Sequence, residues 1–195
     1  MIHSVKSNNP NFKPVMFHSG FNVVLADRNR DNKVDEKRTR NGAGKTTLIE
    51  IIHFCLGSQV SKNSVFKDEH LKGWSFILEI DIGTKIYCIE RFTDRSGKIY
   101  IDGEISALCL ECKYDKATHR YYVSPNAFNK AMLKEFYGIE VTDSNQQYVP
   151  SFRELISYAI RRNVEGYKNA FEFFSRQKAS SVQACNAYFL NLSME

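Results

Sequence analysis

The sequence lacks the features of a membrane or secreted protein. No apolar run approaches the ~20 residues needed to cross a bilayer, and no basic start is followed by an apolar stretch and a small-residue cleavage site. We therefore expect a cytoplasmic protein without a membrane contact. Cysteine is scarce, with five residues in a chain of 195. An odd number scattered through apolar segments favours reduced thiols over a disulfide framework.

A strong excess of either charge is also missing. The formal net charge is +5, and the chain is 43% hydrophobic and 25% charged, as in an ordinary soluble globular protein. Such mild basicity permits a polyanionic partner without requiring one, and a solvated basic surface explains it equally well. The length suffices for one substantial core, or for one domain that carries a smaller subdomain.

The most informative stretch is a glycine-rich segment followed at once by an apolar run. Residues 39–47 read TRNGAGKTT and residues 48–57 read LIEIIHFCLG. Side-chain-poor residues before Lys45 let successive backbone N–H groups surround an anion, and the following helix adds its positive N-terminal end. Lys45 would then reach the β- and γ-phosphates of a nucleotide, and the Thr46 hydroxyl would ligate Mg²⁺. The apolar residues 21–26 predict the strand that precedes such a loop.

The match to a phosphate-binding loop is incomplete. Thr39 stands where the full pattern has its first glycine, so only the half from Gly42 to Thr46 is strict. A chance glycine-rich turn before a core helix is the simpler explanation, but the strand before and the helix after favour nucleotide binding. The predicted nucleotide-binding residues are Arg40, Asn41, Gly42, Ala43, Gly44, Lys45, Thr46 and Thr47, with Thr46 as the Mg²⁺ ligand.

A polar insertion precedes this loop. Residues 27–38 read DRNRDNKVDEKR and show no hydrophobic period, which predicts an irregular loop that continues to residue 40. Its basic residues could help to neutralise a triphosphate, but its acidic residues balance most of that charge. Arg40 is the basic residue best placed to touch phosphate.

Strand-like runs dominate the middle of the chain. Short runs at 2–5 and 12–17 precede the phosphate loop, and longer ones at 75–82, 85–92 and 98–102 follow it. The last three are separated by hairpin turns, at Gly83-Thr84 and at 94–97, and therefore predict an antiparallel meander within residues 75–102. A purely parallel P-loop enzyme, such as a small kinase, would use helical crossovers there instead.

Three further helices are predicted, at 125–137, 152–162 and 182–194, the first two with N-terminal serine caps. The last one spaces its apolar residues as a coiled coil does, but for barely two heptads. Cys109 and Cys112 have the spacing of half a zinc site, with His119 nearby. No second pair of ligands stands at a usable distance, so we favour two loop or strand-end cysteines over a metal site.

The phosphate-loop region resembles a known family. With its strand, its NGAGKTT loop and the LIEII and CLG segments after it, the chain looks like the N-terminal half of the ATPase head of SMC, Rad50 and RecN proteins, within the ABC-type ATPases. The stretches 22–27, 40–58 and 151–162 are more specifically similar to an uncharacterised group of bacterial SMC-like coiled-coil ATPases. The resemblance implies an α/β fold, namely a P-loop NTPase half-domain with a mixed sheet, a β meander and several helices.

The resemblance also implies cofactors and partners. It implies ATP and Mg²⁺ as cofactors, an ATPase head lobe over residues 1–178, and a helix over 179–195 that begins a coiled coil. The implied partner is the C-terminal half of the same ATPase or a separate subunit, with a homodimer of heads when complete. DNA is the implied target, in repair, chromosome maintenance or defence.

Several catalytic parts of such heads are not visible in the sequence. There is no Ser-Gly-Gly signature, and the acidic pair Asp35-Glu36 lies in a polar loop rather than after an apolar strand. The glutamine loop has several candidates and no obvious one, and Arg161 or Arg162 could occupy its place; the candidates are Gln146, Gln147, Gln177 and Gln183. We therefore expect an N-terminal fragment, natural or constructed, or one partner of a split ATPase, which binds ATP–Mg²⁺ weakly and hydrolyses it slowly or not at all.

Two other functions remain open from the sequence. A self-sufficient P-loop kinase or GTPase would need a base-specificity motif and acidic metal ligands, which we do not find. A non-enzymatic interaction module with a degenerate phosphate loop is the other alternative, and Thr39 is its best support.

Overall fold

The structure is a computed structural model that describes residues 1–25, 44–108, 110–141, 149–162, 164–174 and 176–192. Within these residues the chain forms one antiparallel sheet and four α-helices. The strands are β1 (Ile2–Ser7), β2 (Val15–Met16), β3 (Ser75–Ile82), β4 (Lys85–Phe92), β5 (Ile99–Asp102), β6 (Lys113–Asp115) and β7 (Arg120–Val123). The helices are α1 (Lys45–Cys55), α2 (Pro125–Tyr137), α3 (Phe152–Ala159) and α4 (Ala179–Phe189).

The predicted meander forms the centre of the sheet. The strand order is β2-β1-β3-β4-β5-β7-β6, and each neighbouring pair is antiparallel. Strands β3 and β4 pair over their whole length, from Ser75 opposite Phe92 to Ile82 opposite Lys85. Gly83 turns this hairpin with a φ of +61°, a backbone conformation that costs glycine little. The strand predicted at 2–5 extends to Ser7 as β1, whereas the strand predicted at 12–17 is limited to the two residues of β2.

The predicted strand at 21–26 is wrong for the residues described. Residues 21–25 form no strand, and Phe21 and Leu25 keep 87% and 83% of their surface exposed. Apolar, strand-favouring residues form a strand only when a neighbouring backbone pairs with their N–H and C=O groups. No strand of the described sheet pairs with residues 21–25. The family resemblance implies a mixed sheet, which contains at least one parallel pair of strands. Every strand pair in the described residues is antiparallel.

Helix α1 packs on one face of the sheet and supplies the centre of the core. The inward residues of β3 alternate with outward ones, as expected for a strand with one buried face. Phe54 of α1 stacks on Phe66 with 4.2 Å between ring centroids and meets Phe76 of β3 edge-on. Residues 51–56 are all buried. Such extensive burial fixes α1 as a rigid element.

Helix α2 has the predicted bounds and caps. The Ser124 hydroxyl accepts a hydrogen bond from the Ala127 N–H, Pro125 opens the helix, and Gly138 ends it with a φ of +67°. These local signals are sufficient to define both ends.

The other two helices differ from their predicted bounds. Helix α3 has the predicted capping box at Ser151 and Glu154 but ends at Ala159 rather than at 162, because Ile160 leaves the helical conformation. Helix α4 runs from 179 to 189 rather than from 182 to 194, and it packs on α3. Cys185 faces the core, whereas Phe189 and Leu192 are exposed. In the part of the chain described here, no helix has the length and apolarity to traverse a bilayer.

Candidate functional site

The start of α1 has a left-handed glycine directly before the helix, at the end of the predicted phosphate loop. Gly44 has a φ of +78° and directly precedes the helix, whose first residue is Lys45. The Leu48 N–H donates to the Gly44 carbonyl at 2.9 Å, which closes the first turn. An L-residue with a side chain would pay roughly 1–2 kcal/mol for this conformation, so the glycine has a structural reason to be here.

The first turn of α1 is open to a ligand. No side chain of the described residues caps it and it contains no acidic residue; Gly44 and Thr46 are exposed, and Thr47 is half-buried. Uncapped N–H groups at a helix start carry partial positive charge and suit an anion. The arrangement can therefore hold phosphate oxygens near the Thr46 hydroxyl.

Some predicted site residues lie outside the described part of the chain. The structure places Gly44, Thr46 and Thr47 together, along with the backbone of Lys45. The described residues also exclude the insertion at 27–40, the glutamine-loop candidates Gln146 and Gln147, and Cys109. The predicted site residues beyond the described ranges are Arg40, Asn41, Gly42 and Ala43.

The other end of α1 is held by arginines that sequence reasoning missed. Arg91 of β4 is almost fully buried, and its Nη1 donates to the carbonyls of Phe54 at 2.6 Å and Ser58 at 2.8 Å. The Arg153 Nη1 of α3 donates to the Leu56 carbonyl at 2.9 Å. Cations are favourable at the negative C-terminal end of a helix. Burial still lowers the pKa of Arg91 to about 10 and that of Arg153 to about 9.

His53 links α1 to the end of α3. It is fully buried, with Nε2 2.8 Å from the Ile160 carbonyl and Nδ1 2.5 Å from Arg153 Nη2. Since a guanidinium can only donate, Nδ1 accepts and Nε2 carries the proton. Burial, with the nearby charges of Arg162 and Arg153, lowers the pKa of His53 from 6.5 to about 3. The imidazole is therefore neutral and acts as a structural bridge.

The arginines considered for the glutamine-loop position have different environments. Arg161 organises the segment that follows α3, and its Nη1 and Nη2 donate to the carbonyls of Gly166 and Ala170, among others. Arg162 instead turns toward α1, with Nε 3.6 Å from a carboxylate oxygen of Glu50. Gln177 is also structural, since its amide group donates to Tyr158 and Ser181.

Acidic side chains are not organised as a metal site in the described residues. A second acidic pair, Asp68-Glu69, lies in an exposed 3₁₀ segment, where the Asp68 carboxylate accepts a hydrogen bond from the His70 N–H. Among the described residues, no group of three or more His, Cys, Asp or Glu side chains could hold a metal ion. Cys112 is half-buried ahead of β6.

A left-handed glycine directly before a helix that begins with Lys-Thr is typical of the phosphate-binding loop of P-loop nucleotide-binding domains. A family model described as AAA domain matches residues 11–186, and the chain belongs to this family of P-loop ATPases. No significant match was found among curated proteins or among solved structures.

Proposed function

We propose that the chain is the ATP–Mg²⁺-binding N-terminal lobe of an SMC-like ATPase, that it acts on DNA through nucleotide-dependent pairing of heads, and that it does not hydrolyse ATP alone. The observation that carries the proposal is the positive φ of Gly44 immediately before an uncapped first turn of α1. The AAA domain match over residues 11–186 supports nucleotide binding in general.

Each residue in the proposed loop has a chemical role. Backbone N–H groups around Gly44 would donate hydrogen bonds to phosphate oxygens, the Lys45 ammonium would neutralise the β- and γ-phosphates, and the Thr46 hydroxyl would ligate Mg²⁺. The metal would screen the charge of the triphosphate. Because residues 51–56 are buried and the C-terminal end of α1 is held by Arg91 and Arg153, we expect the helix to be formed before nucleotide binds. Preorganisation of this kind lowers the entropic cost of binding.

Hydrolysis needs groups that we find neither in the sequence nor in the described structure. A positioned water and a general base are required besides the residues that bind the phosphates. We propose that a C-terminal half, on the same or another chain, supplies them. The exposed apolar residues Phe21 and Leu25 support this proposal, because a strand from another half could pair with residues 21–25 and bury them.

A nucleotide titration tests the proposed site. Fluorescent ATP should bind in the presence of Mg²⁺, and Lys45→Ala should weaken it by at least tenfold, since it removes a charged contact of about 1.5–3 kcal/mol. Thr46→Ala should selectively reduce the Mg²⁺ dependence. Lys62→Ala is the matched control, because Lys62 is exposed beyond the other end of α1. Equal affinities for the wild type and Lys45→Ala would contradict the site.

The same measurements separate the proposal from its alternatives. A preference for GTP, or steady hydrolysis by the purified chain that Lys45→Ala abolishes, would instead indicate a self-sufficient enzyme. Absence of binding at millimolar ATP–Mg²⁺ would indicate an interaction module with a degenerate loop.

DNA binding has its own test. Filter binding to duplex DNA across a salt series should show affinity that falls with salt, because each neutralised phosphate releases counterions. An absent or salt-independent signal would remove DNA from the proposal and leave the nucleotide site untouched.

A further inference from the structure

An exposed pair of tyrosines lies at one end of the sheet, on the hairpin formed by β6 and β7 (residues 113–123). Tyr114 and Tyr121 are directly opposite each other across the two strands, so their side chains lie on the same face of the sheet. The rings meet edge-on, with 5.2 Å between their centroids. Tyr114 and Tyr121 keep 50% and 58% of their surface exposed. Adjacent exposed aromatic rings, unlike scattered single ones, indicate a contact surface.

The rings lie on the face of the sheet that elsewhere packs into the core. Val123 lies two residues beyond Tyr121 in β7, therefore on the same face, and is buried. The turn of the hairpin is tied to this face, because the Tyr114 hydroxyl and His119 Nδ1 share a hydrogen bond of 3.2 Å. The hairpin therefore presents both rings to solvent from an ordered part of the sheet.

Basic side chains accompany the rings. The hairpin reads KYDKATHRYYV, with three Lys or Arg residues and one acidic residue. The acidic residue, Asp115, is buried and accepts hydrogen bonds from Lys98 at 2.7 Å and Tyr100 at 2.5 Å. Lys113 and Lys116 are exposed, and neither forms an ion pair within the described residues. The accessible charge of the hairpin is therefore positive.

The arginine of the hairpin has a structural role instead. Arg120 donates to the carboxylates of Glu90 and Asp102, and its guanidinium lies over the ring of Tyr100. Alternation along β7 places Arg120 on the face of the sheet opposite to Tyr121. Its contacts hold the hairpin to the neighbouring strands, so the accessible cations are the two lysines.

We propose that the hairpin binds a single-stranded nucleic acid, with bases stacked on Tyr114 and Tyr121 and phosphates beside Lys113 and Lys116. Every base has a π-face that an exposed ring can cover, and lysines neutralise the phosphates between the bases. In a duplex those faces are stacked on other bases. An apolar protein surface could also cover the rings, but it would offer the lysines no anion, so the charge favours the nucleic acid. The inference goes beyond the proposed function, which assigns DNA to no residue of this chain.

The test follows the fluorescence anisotropy of a fluorescein-labelled oligothymidylate of about 15 nucleotides, mixed with the intact chain in the absence of ATP. An oligomer of the same length without bases and a duplex of the same length are the comparison probes. Oligothymidylate should bind, and each comparison probe should bind at least about fivefold more weakly, because neither offers an unstacked base. Ultraviolet cross-linking with mass spectrometry should attach the oligothymidylate to the hairpin.

Ring variants test the stacking. Tyr114→Leu combined with Tyr121→Leu keeps apolar bulk but removes both rings, and it should weaken oligothymidylate binding by at least about fivefold. Tyr114→Phe combined with Tyr121→Phe keeps the rings and loses only the hydroxyls, so it should bind as the wild type does.

Charge variants test the phosphate contacts. Lys113→Gln combined with Lys116→Gln should reduce the slope of log affinity against log salt by about 1.4, since each single-strand phosphate contact contributes about 0.7. Lys62→Gln combined with Lys67→Gln removes the same charge from exposed positions elsewhere and should leave the slope unchanged. Glu111→Gln removes an exposed negative charge two residues before β6 and should tighten binding.

Particular results would overturn the proposal. It fails if oligothymidylate does not bind at low salt, which would leave the rings as a contact for another protein. It also fails if the oligomer without bases binds as tightly, or if the leucine variant binds as the wild type does. Should the leucine variant not fold, the wild-type cross-links decide, and cross-links confined to residues outside the hairpin reject the site. Lys45→Ala should leave the affinity unchanged, so this test is independent of the nucleotide titration.

Discussion

Replacing His53 by glutamine should remove a specific part of the pH dependence of stability. In the folded chain the pKa of His53 is lowered to about 3, mainly by burial and further by the charges of Arg162 and Arg153; the hydrogen bond to the Ile160 carbonyl acts the other way. The unfolded chain exposes an ordinary imidazole with a pKa near 6.5. Protons therefore bind preferentially to the unfolded state, and this contribution to stability is lost as the pH falls from 6.5 toward 3.

The magnitude follows from the unfolded pKa alone at moderate pH. At about pH 5.5 an imidazole of pKa 6.5 is mostly protonated, which favours the unfolded chain by about 1.4 kcal/mol relative to pH 7.5. The folded pKa lies far enough below this range that its exact value has little effect. Glutamine can donate to Ile160 and accept from Arg153 but does not titrate there, so it retains the bridge.

Urea denaturation of the wild type and His53→Gln at the two pH values measures the difference. The stability lost between them should be about 1.4 kcal/mol larger for the wild type. His70→Gln is the matched control, because His70 is exposed, and it should lose as much as the wild type. Equal losses in the wild type and His53→Gln would refute the assignment of His53 as a buried neutral group.

Local packing and capping give further predictions. Gly57→Ala should lower stability by more than the 1–2 kcal/mol of its φ of +77°, because its Cβ would lie 2.6 Å from Asn129 Oδ1. Gly138→Ala, at a positive φ in open space, is the control in thermal denaturation, and an equal loss would contradict the clash. Ser151→Ala should cost about 1 kcal/mol in urea denaturation by removing the cap of α3. Thiol reagents should leave Cys55 unmodified in the folded chain, as mass spectrometry would show, because burial raises its pKa to about 12.

Much of the fold could be predicted because its signals are local. The hairpin at Gly83, the caps of α2 and the capping box at Ser151 each depend on residues a few positions apart. The glycine–lysine–threonine stretch likewise predicts a helix at the end of the loop, and α1 begins at Lys45. Backbone conformation and first-turn hydrogen bonding determine these features before any distant part of the chain is in place.

Only the tertiary structure decided the features that depend on distant partners. Residues 21–25 have a strand-like composition, yet a strand requires a neighbouring backbone, which composition does not supply. Arg153 meets His53 across 100 positions of sequence, and Ile160 meets it across 107. No periodicity in the sequence encodes such contacts. The ion pair of Arg162 with Glu50, with 3.6 Å between Nε and a carboxylate oxygen, is visible for the same reason only in the folded chain, because such contacts belong to the packed arrangement rather than to any one segment.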